Sequence, residues 1–265
     1  MSSYRVSVNS LVAFTARAGD LDLPFTPAPS AIEGIAGHQI IRQRRRANYE
    51  SEVRLNGHYP GLEVSGRADG YNPDTNTLEE IKTHRSDLSR IPDNQRAVHW
   101  AQAKLYGWML CQARGLSTIN IAVVYFNILS GEETSAPVCY SAKQLQSFFN
   151  LHSEKFLSWA EQETAHRERR NTSLEAMPFP HATYRTGQRD LAEKVFLAVR
   201  GEQVLLAQAT TGIGKTLATI FPQLKAMGEC KIDRLFFLTA KTPGRQLALD
   251  AIETLRLACY DLQLR

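Results

Sequence analysis

The sequence predicts an α/β protein in two parts, and three observations carry that prediction. Near the N-terminus, three short runs with strand character are parted by turn-forming residues. Towards the C-terminus, helical patterns alternate with short apolar runs, the signature of a parallel sheet. Between the two regions lies "NTSLEAMPFPHAT", residues 171–183, a polar stretch whose Pro178 and Pro180 do not continue a helix. The expected organisation is a first domain over 1–170, a linker over 171–183 and a second domain over 184–265.

Each element has its own warrant. "PSAIEGIAGHQIIRQRRRA", residues 29–47, reads as a helix with Ile32, Ile35, Ile40 and Ile41 as most of an apolar stripe. "SEVRLNG", "LEVSGRADGY" and "TLEEIKT" follow as strands joined by "HYPG" and "NPDTN", so an antiparallel meander is expected. "NQRAVHWAQAKLYGWMLCQARG" is a helix stopped by Gly115. "TINIAVVYFNIL" is a nearly continuous apolar strand, the kind buried on both faces. "SGEE" turns it into "TSAPVCY", and a long helix starts at Ser141, with Gln144 placed to complete a capping box, and runs to about Arg170. Beyond the linker come a helix, the strand "QVLLAQA", a helix, the strand "RLFFLTA" and a last helix.

Composition bounds the function. The 265 residues are 43% hydrophobic and 22% charged, as in a globular protein and unlike a disordered one. No apolar run is long enough to span a bilayer, so no membrane partner is expected. Nor does the N-terminal stretch read as a secretory signal. Cys111, Cys139, Cys230 and Cys259 form no CxxC pair, which argues against a zinc site or a disulfide framework and fits a reducing cytoplasmic setting. The net charge of +4 is compatible with a polyanionic partner. Arg42, Arg44, Arg45 and Arg46 form the densest basic run, either a solvated helix end or a source of attraction for a nucleic-acid backbone.

Two stretches carry chemistry. In "TLEEIKT" alternation puts Glu80 and Lys82 on one face and Glu79 and Ile81 on the other, and it puts Asp69 with Ser65 and Arg67 on the preceding strand. Antiparallel pairing through the short turn brings Asp69 near Glu80 and Lys82. Two converging carboxylates make a hard-oxygen site for Mg²⁺ or Mn²⁺, and a nearby lysine can orient or help activate water. Asp74 competes for the aspartate role but falls in turn chemistry, and Glu79 faces away from Lys82. The second stretch, "ATTGIGKT", residues 209–216, follows an apolar run and opens a helix, the context a phosphate loop requires. Gly212 and Gly214 let amides point inward, Lys215 would reach the β- and γ-phosphates of ATP, and Thr216 would hold magnesium.

The order Asp69, then Glu80-Ile81-Lys82, resembles the PD-(D/E)xK nucleases of the RecB type, which include the CRISPR-associated exonuclease relatives. The resemblance spans residues 29 to about 140. "GRADG" matches the pattern around the aspartate, His38 in "GIAGHQI" matches an extra metal ligand on a preceding helix, and Gln102 and Tyr106 match a Gln-x-x-x-Tyr element. It implies a restriction-endonuclease-like mixed sheet flanked by helices. Asp69, Glu80, His38 and the Ile81 carbonyl would hold metal, and Lys82, Gln102 and Tyr106 would serve catalysis. Two cysteines near this region are too few for an iron–sulfur cluster, so none is expected.

The phosphate loop with "YRTGQRDL" before it and "LFFLTAKTPGRQLALDAI" after it resembles the opening of a superfamily 2 DNA helicase of the DinG/XPD type, over 184 to about 257. That implies a partial RecA-like motor domain, with Arg185 and Gln188 at adenine and Thr239, Lys241 and Thr242 at the nucleic-acid backbone. No Asp-Glu box and no second motor domain follow, so the 265 residues are expected not to turn over ATP at a helicase-like rate. Together the resemblances imply a DNA partner, single-stranded or opened duplex, in repair or processing.

Overall fold

The computed structural model describes residues 4–17, 29–85 and 87–264. The meander forms where turn chemistry ends each run. Strand β2 is Glu50–Tyr59, β3 is Leu62–Asn72 and β4 is Thr77–His84. Their register is antiparallel, from Tyr59↔Leu62 along β2 and β3 and from Asn72↔Thr77 along β3 and β4. Asn72 Oδ1 accepts from the Asp74 amide at 3.0 Å, so "NPDTN" closes as an Asx-type turn. Asp74 is exposed at its tip, away from the cavity described below.

A short strand β1, Tyr4–Ser7, lies parallel to β3 and runs into helix α1, Val8–Thr15. Helix α2 is Ala31–Arg44 and α3 is Asp93–Arg114. Strand β5, Thr118–Asn127, pairs parallel with β4, and β6, Glu133–Thr134, and β7, Val138–Ser141, return antiparallel to it. Among the described residues the sheet is mixed and lies between helices, an α/β arrangement. Strand β5 is buried on both faces as its composition predicts. Ile119, Ile121 and Val123 join the main core with Leu62, Leu78 and Leu105, while Val124 and Phe126 join Ile41 and Ile81 on the other face.

Helix α2 does not use the isoleucine stripe the sequence suggests. Ile32 is 79% exposed and Ile35 62%, and only Ile41 is fully buried. The reason is steric: a Cβ on Gly37 would lie 2.6 Å from Thr83 Cγ2, so α2 reaches the sheet through its glycine side. The isoleucines a turn earlier are thereby turned outward. The arginine run is not a free basic patch either. Arg44 and Arg45 pair with Glu133 at 2.8 and 2.9 Å, Arg45 also pairs with Glu79 at 2.8 Å, and Arg42 pairs with Glu52.

Helix α4, Ala142–Ala176, opens with the expected capping box: Gln144 N donates to Ser141 Oγ at 3.2 Å and Ser141 N to Gln144 Oε1 at 2.9 Å. It continues through the first six residues of the stretch read as a linker. The chain divides into two compact units, Met1–Ala160 and Glu161–Arg265, and Leu174 and Met177 belong to the core of the second.

The C-terminal unit corrects the sequence reading most. Its helices α5, Gln188–Arg200, α6, Lys215–Gly228, and α7, Thr242–Ala258, form where expected. The two apolar runs between them do not pair: among the described residues this unit has no strand, so the expected parallel sheet is not formed. Val204 is 100% exposed and Leu206 98%. A parallel strand is stable only with neighbours on its edges and cover on its faces, and neither run has both.

Candidate active site

The site lies where β3 changes neighbours. Strand β1 pairs with Leu62–Ser65 and β4 with Gly70–Asn72, so on that edge the residues 66–69 have no strand beside them among the described residues. Asp69 fills the gap with its side chain: Oδ2 accepts from the Ile81 amide at 2.7 Å, where a ladder bond would otherwise run.

Alternation along β3 slips at the same point. A Cβ on Gly66 would lie 2.7 Å from Tyr106 Oη, so this position faces α3. Gly70, which should share that face, instead abuts Tyr49, whose hydroxyl donates to Glu79 Oε2 at 2.9 Å on the opposite side of the sheet. The slip coincides with Glu52, which the register places across from Asp69 between Ser51↔Gly70 and Val53↔Ala68. Glu52 has φ +59, a left-handed conformation in the middle of a strand. Asp69 therefore leaves the face that simple alternation gives it and joins Glu80.

Seven of the residues singled out from sequence line one cavity of about 960 Å³: His38, Asp69, Glu80, Ile81, Lys82, Gln102 and Tyr106. Glu80 is 2% exposed. Its Oε1 accepts from Lys82 Nζ at 2.7 Å, and its Oε2 is buried with no hydrogen-bond partner. Burial pushes its carboxyl up to about 7, opposed by the Lys82 charge and assisted by Asp69. Lys82 Nζ donates a second bond to Gln102 Oε1 at 2.9 Å, so α3 and β4 together fix the ammonium. His38 Nδ1 lies 3.4 Å from Asp69 Oδ1. Tyr106 Oη accepts from the Arg67 amide at 3.3 Å, and burial pushes its phenol up to about 12. Glu79 is held on the other face by Arg45 and Tyr49, as its alternation predicts.

The cavity also holds residues the motif reading missed. His99 lines it, with Nδ1 3.2 Å from Tyr125 Oη, and burial beside the Lys82 charge pushes the imidazole down to about 3. Gln95, His99, Gln102 and Tyr106 all line the cavity at spacings of four, three and four, one helical face of α3. That polar stripe was present in the sequence, and periodicity could have found it. Glu52 was missed for a different reason: nothing in "YESEVRL" marks a left-handed residue.

Among the described residues, no group of three or more His, Cys, Asp or Glu side chains is arranged to grip an ion. Asp69, Glu80 and His38 line the one cavity without forming such a group.

In the C-terminal unit Arg185 and Gln188 come together with residues 209–216. Gly212 and Gly214 have φ +90 and +79, and α6 begins at Lys215 with Thr216 as its second residue. Arg185 Nη1 donates to the Gly212 carbonyl at 2.7 Å, and Gln188 Nε2 to the Gly214 carbonyl at 3.3 Å. Lys215 Nζ donates to the carbonyls of Ala209 and Thr210 at 3.1 and 2.7 Å, so its ammonium is folded onto its own loop. Thr239 Oγ1 donates to the Lys241 carbonyl at 3.1 Å just before Thr242 opens α7.

No protein-family model matches the chain, and no curated protein matches it. Solved structures do. One is SSO0001, 18% identical, with a TM-score of 0.40 over 59% of this chain and 77% of that one. Another is a protein of Eubacterium rectale that carries a provisional exonuclease name, 17% identical, with a TM-score of 0.34 over 48% of this chain and 50% of that one. No helix among the described residues is long and apolar enough to cross a membrane.

Proposed function

We propose that the N-terminal unit is a divalent-metal-dependent nuclease that hydrolyses phosphodiester bonds, with single-stranded DNA as substrate. One observation carries this reading. Glu80 Oε2 is buried without a partner, on a carboxylate that shares a cavity with Asp69 and Lys82. A buried carboxylate oxygen left unpaired is costly, and a cation is the partner its chemistry calls for.

Asp69, Glu80, the Ile81 carbonyl and His38 would hold Mg²⁺ or Mn²⁺, a donor set of mostly hard oxygens suited to either. A bound ion would polarise the phosphodiester and lower the pKa of a bound water. Lys82, anchored by Glu80 and Gln102, presents an ammonium to the charge that develops on phosphorus-bound oxygen. Gln102 positions Lys82, and Tyr106 supports the strand beside Asp69 through the Arg67 amide.

The C-terminal unit is proposed to bind ATP through residues 209–216, with Lys215 leaving its two carbonyls for the phosphates and Arg185 and Gln188 bordering the loop. A role beside a DNA helicase motor follows from the resemblance of residues 184–257.

A labelled single-stranded oligonucleotide should be cut in Mg²⁺ or Mn²⁺ and spared in chelator. Lys82→Ala should abolish cleavage while oligonucleotide binding persists. Binding that is indifferent to metal, with no cleavage by the wild-type chain, would make the unit a DNA-holding module instead.

A further inference from the structure

Three charged side chains at the rim of the same cavity are not used by the proposed chemistry. Arg42 on α2 and Arg67 on β3 both pair with the carboxylate of Glu52, one with each oxygen. All three line the cavity that holds Asp69 and Glu80. The charges do not balance: two guanidinium groups share a single carboxylate. At the far end of the arginine run the count is even, with Arg44 and Arg45 against Glu79 and Glu133. Moreover, Arg42 Nε is buried with no hydrogen-bond partner, so one donor of the fork is unused.

Glu52 is held there at a cost. Its φ of +59 is unfavourable for a side chain with a Cβ, and such strain persists where the surroundings over-determine it. The same distortion sets Asp69 in place across the ladder. Glu52 is therefore fixed beside the reacting centre, yet its side chain is one-third exposed and that of Arg67 61%. Part-exposed ion pairs are weak in water, whereas guanidinium groups bind phosphate through paired, charge-assisted bonds.

We propose that Glu52 is an internal stand-in for a backbone phosphate of the nucleic-acid strand. It keeps Arg42 and Arg67 gathered at the rim until a phosphodiester takes its place, and the two arginines then hold the strand next to Asp69 and Glu80. This rests on the reading of the N-terminal unit as a nuclease, and it assigns that site a phosphate clamp with a built-in competitor.

The test is binding, read without metal. The full chain is titrated in chelator against a labelled oligothymidylate of about 15 nucleotides at several salt concentrations. Removing the competitor with Glu52→Gln should tighten binding about two- to fivefold, the scale of one part-exposed ion pair. Arg67→Ala should weaken binding and reduce the slope of log affinity against log salt by about 0.7, the loss of one phosphate contact on a single strand. Arg42 is more covered, so its truncation risks the fold; the exposed Arg67 carries the test, with thermal unfolding as the check. Glu52→Gln weakening binding as much as Arg67→Ala would overturn the proposal, because the carboxylate would then only hold the arginines in place. An unchanged slope in Arg67→Ala, or no binding by the wild-type chain, would also overturn it. Cleavage is measured separately, so an inactive wild-type chain that binds as described refutes the nuclease reading and leaves the clamp standing.

Discussion

The two units place their proposed functional groups by different means. In the N-terminal unit the site is made of side chains, and each is aimed by a sheet: Asp69 bonds the Ile81 amide, Glu80 bonds Lys82, and Lys82 bonds Gln102 on the facing helix. In the C-terminal unit the site is made of backbone, with Arg185, Gln188 and Lys215 all donating to loop carbonyls. A side-chain site needs a finished core behind it. A loop at a helix N-terminus needs only the helix and its glycines, which is how residues 209–216 keep their form although the runs before and after α6 form no strand among the described residues.

Crossed substitutions should separate the two most sharply. Asp69→Ala is expected to cut phosphodiester cleavage by about a hundredfold or more, the scale of losing a preorganised electrostatic group, and to leave nucleotide binding untouched. Lys215→Ala should weaken ATP binding about tenfold or more and leave metal-dependent cleavage unchanged. Paired nuclease and nucleotide-binding assays check this, and a cleavage defect in Lys215→Ala would mean that the units do not work independently.

Next in size is the effect of a methyl group. In Gly66→Ala the new Cβ would meet the buried ring of Tyr106, with Cε1 and Oη both at 2.7 Å. Strand or ring must shift, and a loss of about 2 kcal/mol is expected, as in other overpacked cores. Gly212→Ala adds a methyl group where nothing lies within 4 Å, so its cost is only that of φ +90, about 1 kcal/mol. Denaturant unfolding of the two variants should keep that order. The reverse would place the rigid packing in the wrong unit.

What could be read from the sequence follows the same division. The meander was legible because period-two alternation and the turn residues at 72–76 both say where each strand stops. Glu80 and Lys82 were expected together because one strand face carries them, and Gln102 and Tyr106 entered only through the Gln-x-x-x-Tyr resemblance; all four line the same cavity. Asp69 was placed with the right partners for an incomplete reason: alternation puts it with Arg67, and only the slip at Glu52 turns it towards Glu80. Backbone φ leaves no mark in residue type when the residue is glutamate. The isoleucines of α2 misled because apolar residues state a preference for cover, while the approach to the sheet is decided by Gly37. The same holds for "QVLLAQA" and "RLFFLTA". Apolar runs ask for neighbours, and composition alone does not supply them. The arginine run could not announce that Glu52 just after it, and Glu79 and Glu133 remote in sequence, would pair with it.

That difference in cover gives a smaller, direct comparison. Val124→Ser in β5 removes a fully buried side chain and leaves a hydroxyl in an apolar cluster, for an expected loss of about 2 kcal/mol or more. Val204→Ser changes a fully exposed residue and should stay within about 0.5 kcal/mol. Equal effects would show that the C-terminal run is covered in solution.

A comparable effect is expected of the buried charge itself. The Glu80 carboxyl is raised in the folded chain to about 7 from 4.5, chiefly by burial. A raised folded value means that the native state holds the proton more tightly than the unfolded state. The stability from this group is thus fully present below about 4.5 and is lost as pH rises through about 7. Glu80→Gln cannot titrate, and Lys82 keeps its bond to Gln102. The variant should therefore gain on the wild type between pH 5 and pH 8, by about 2 kcal/mol or several degrees in Tm. Adding Mn²⁺ at pH 8 should close that gap by stabilising the wild-type chain alone, since an ion that binds the native state stabilises it by mass action. A gap that stayed constant with pH would mean that Glu80 is not buried as a charge. A gap that persisted with Mn²⁺ would remove its unpaired oxygen from the metal site. In that case the comparison between the units would reduce to a finished core on one side and uncovered runs on the other.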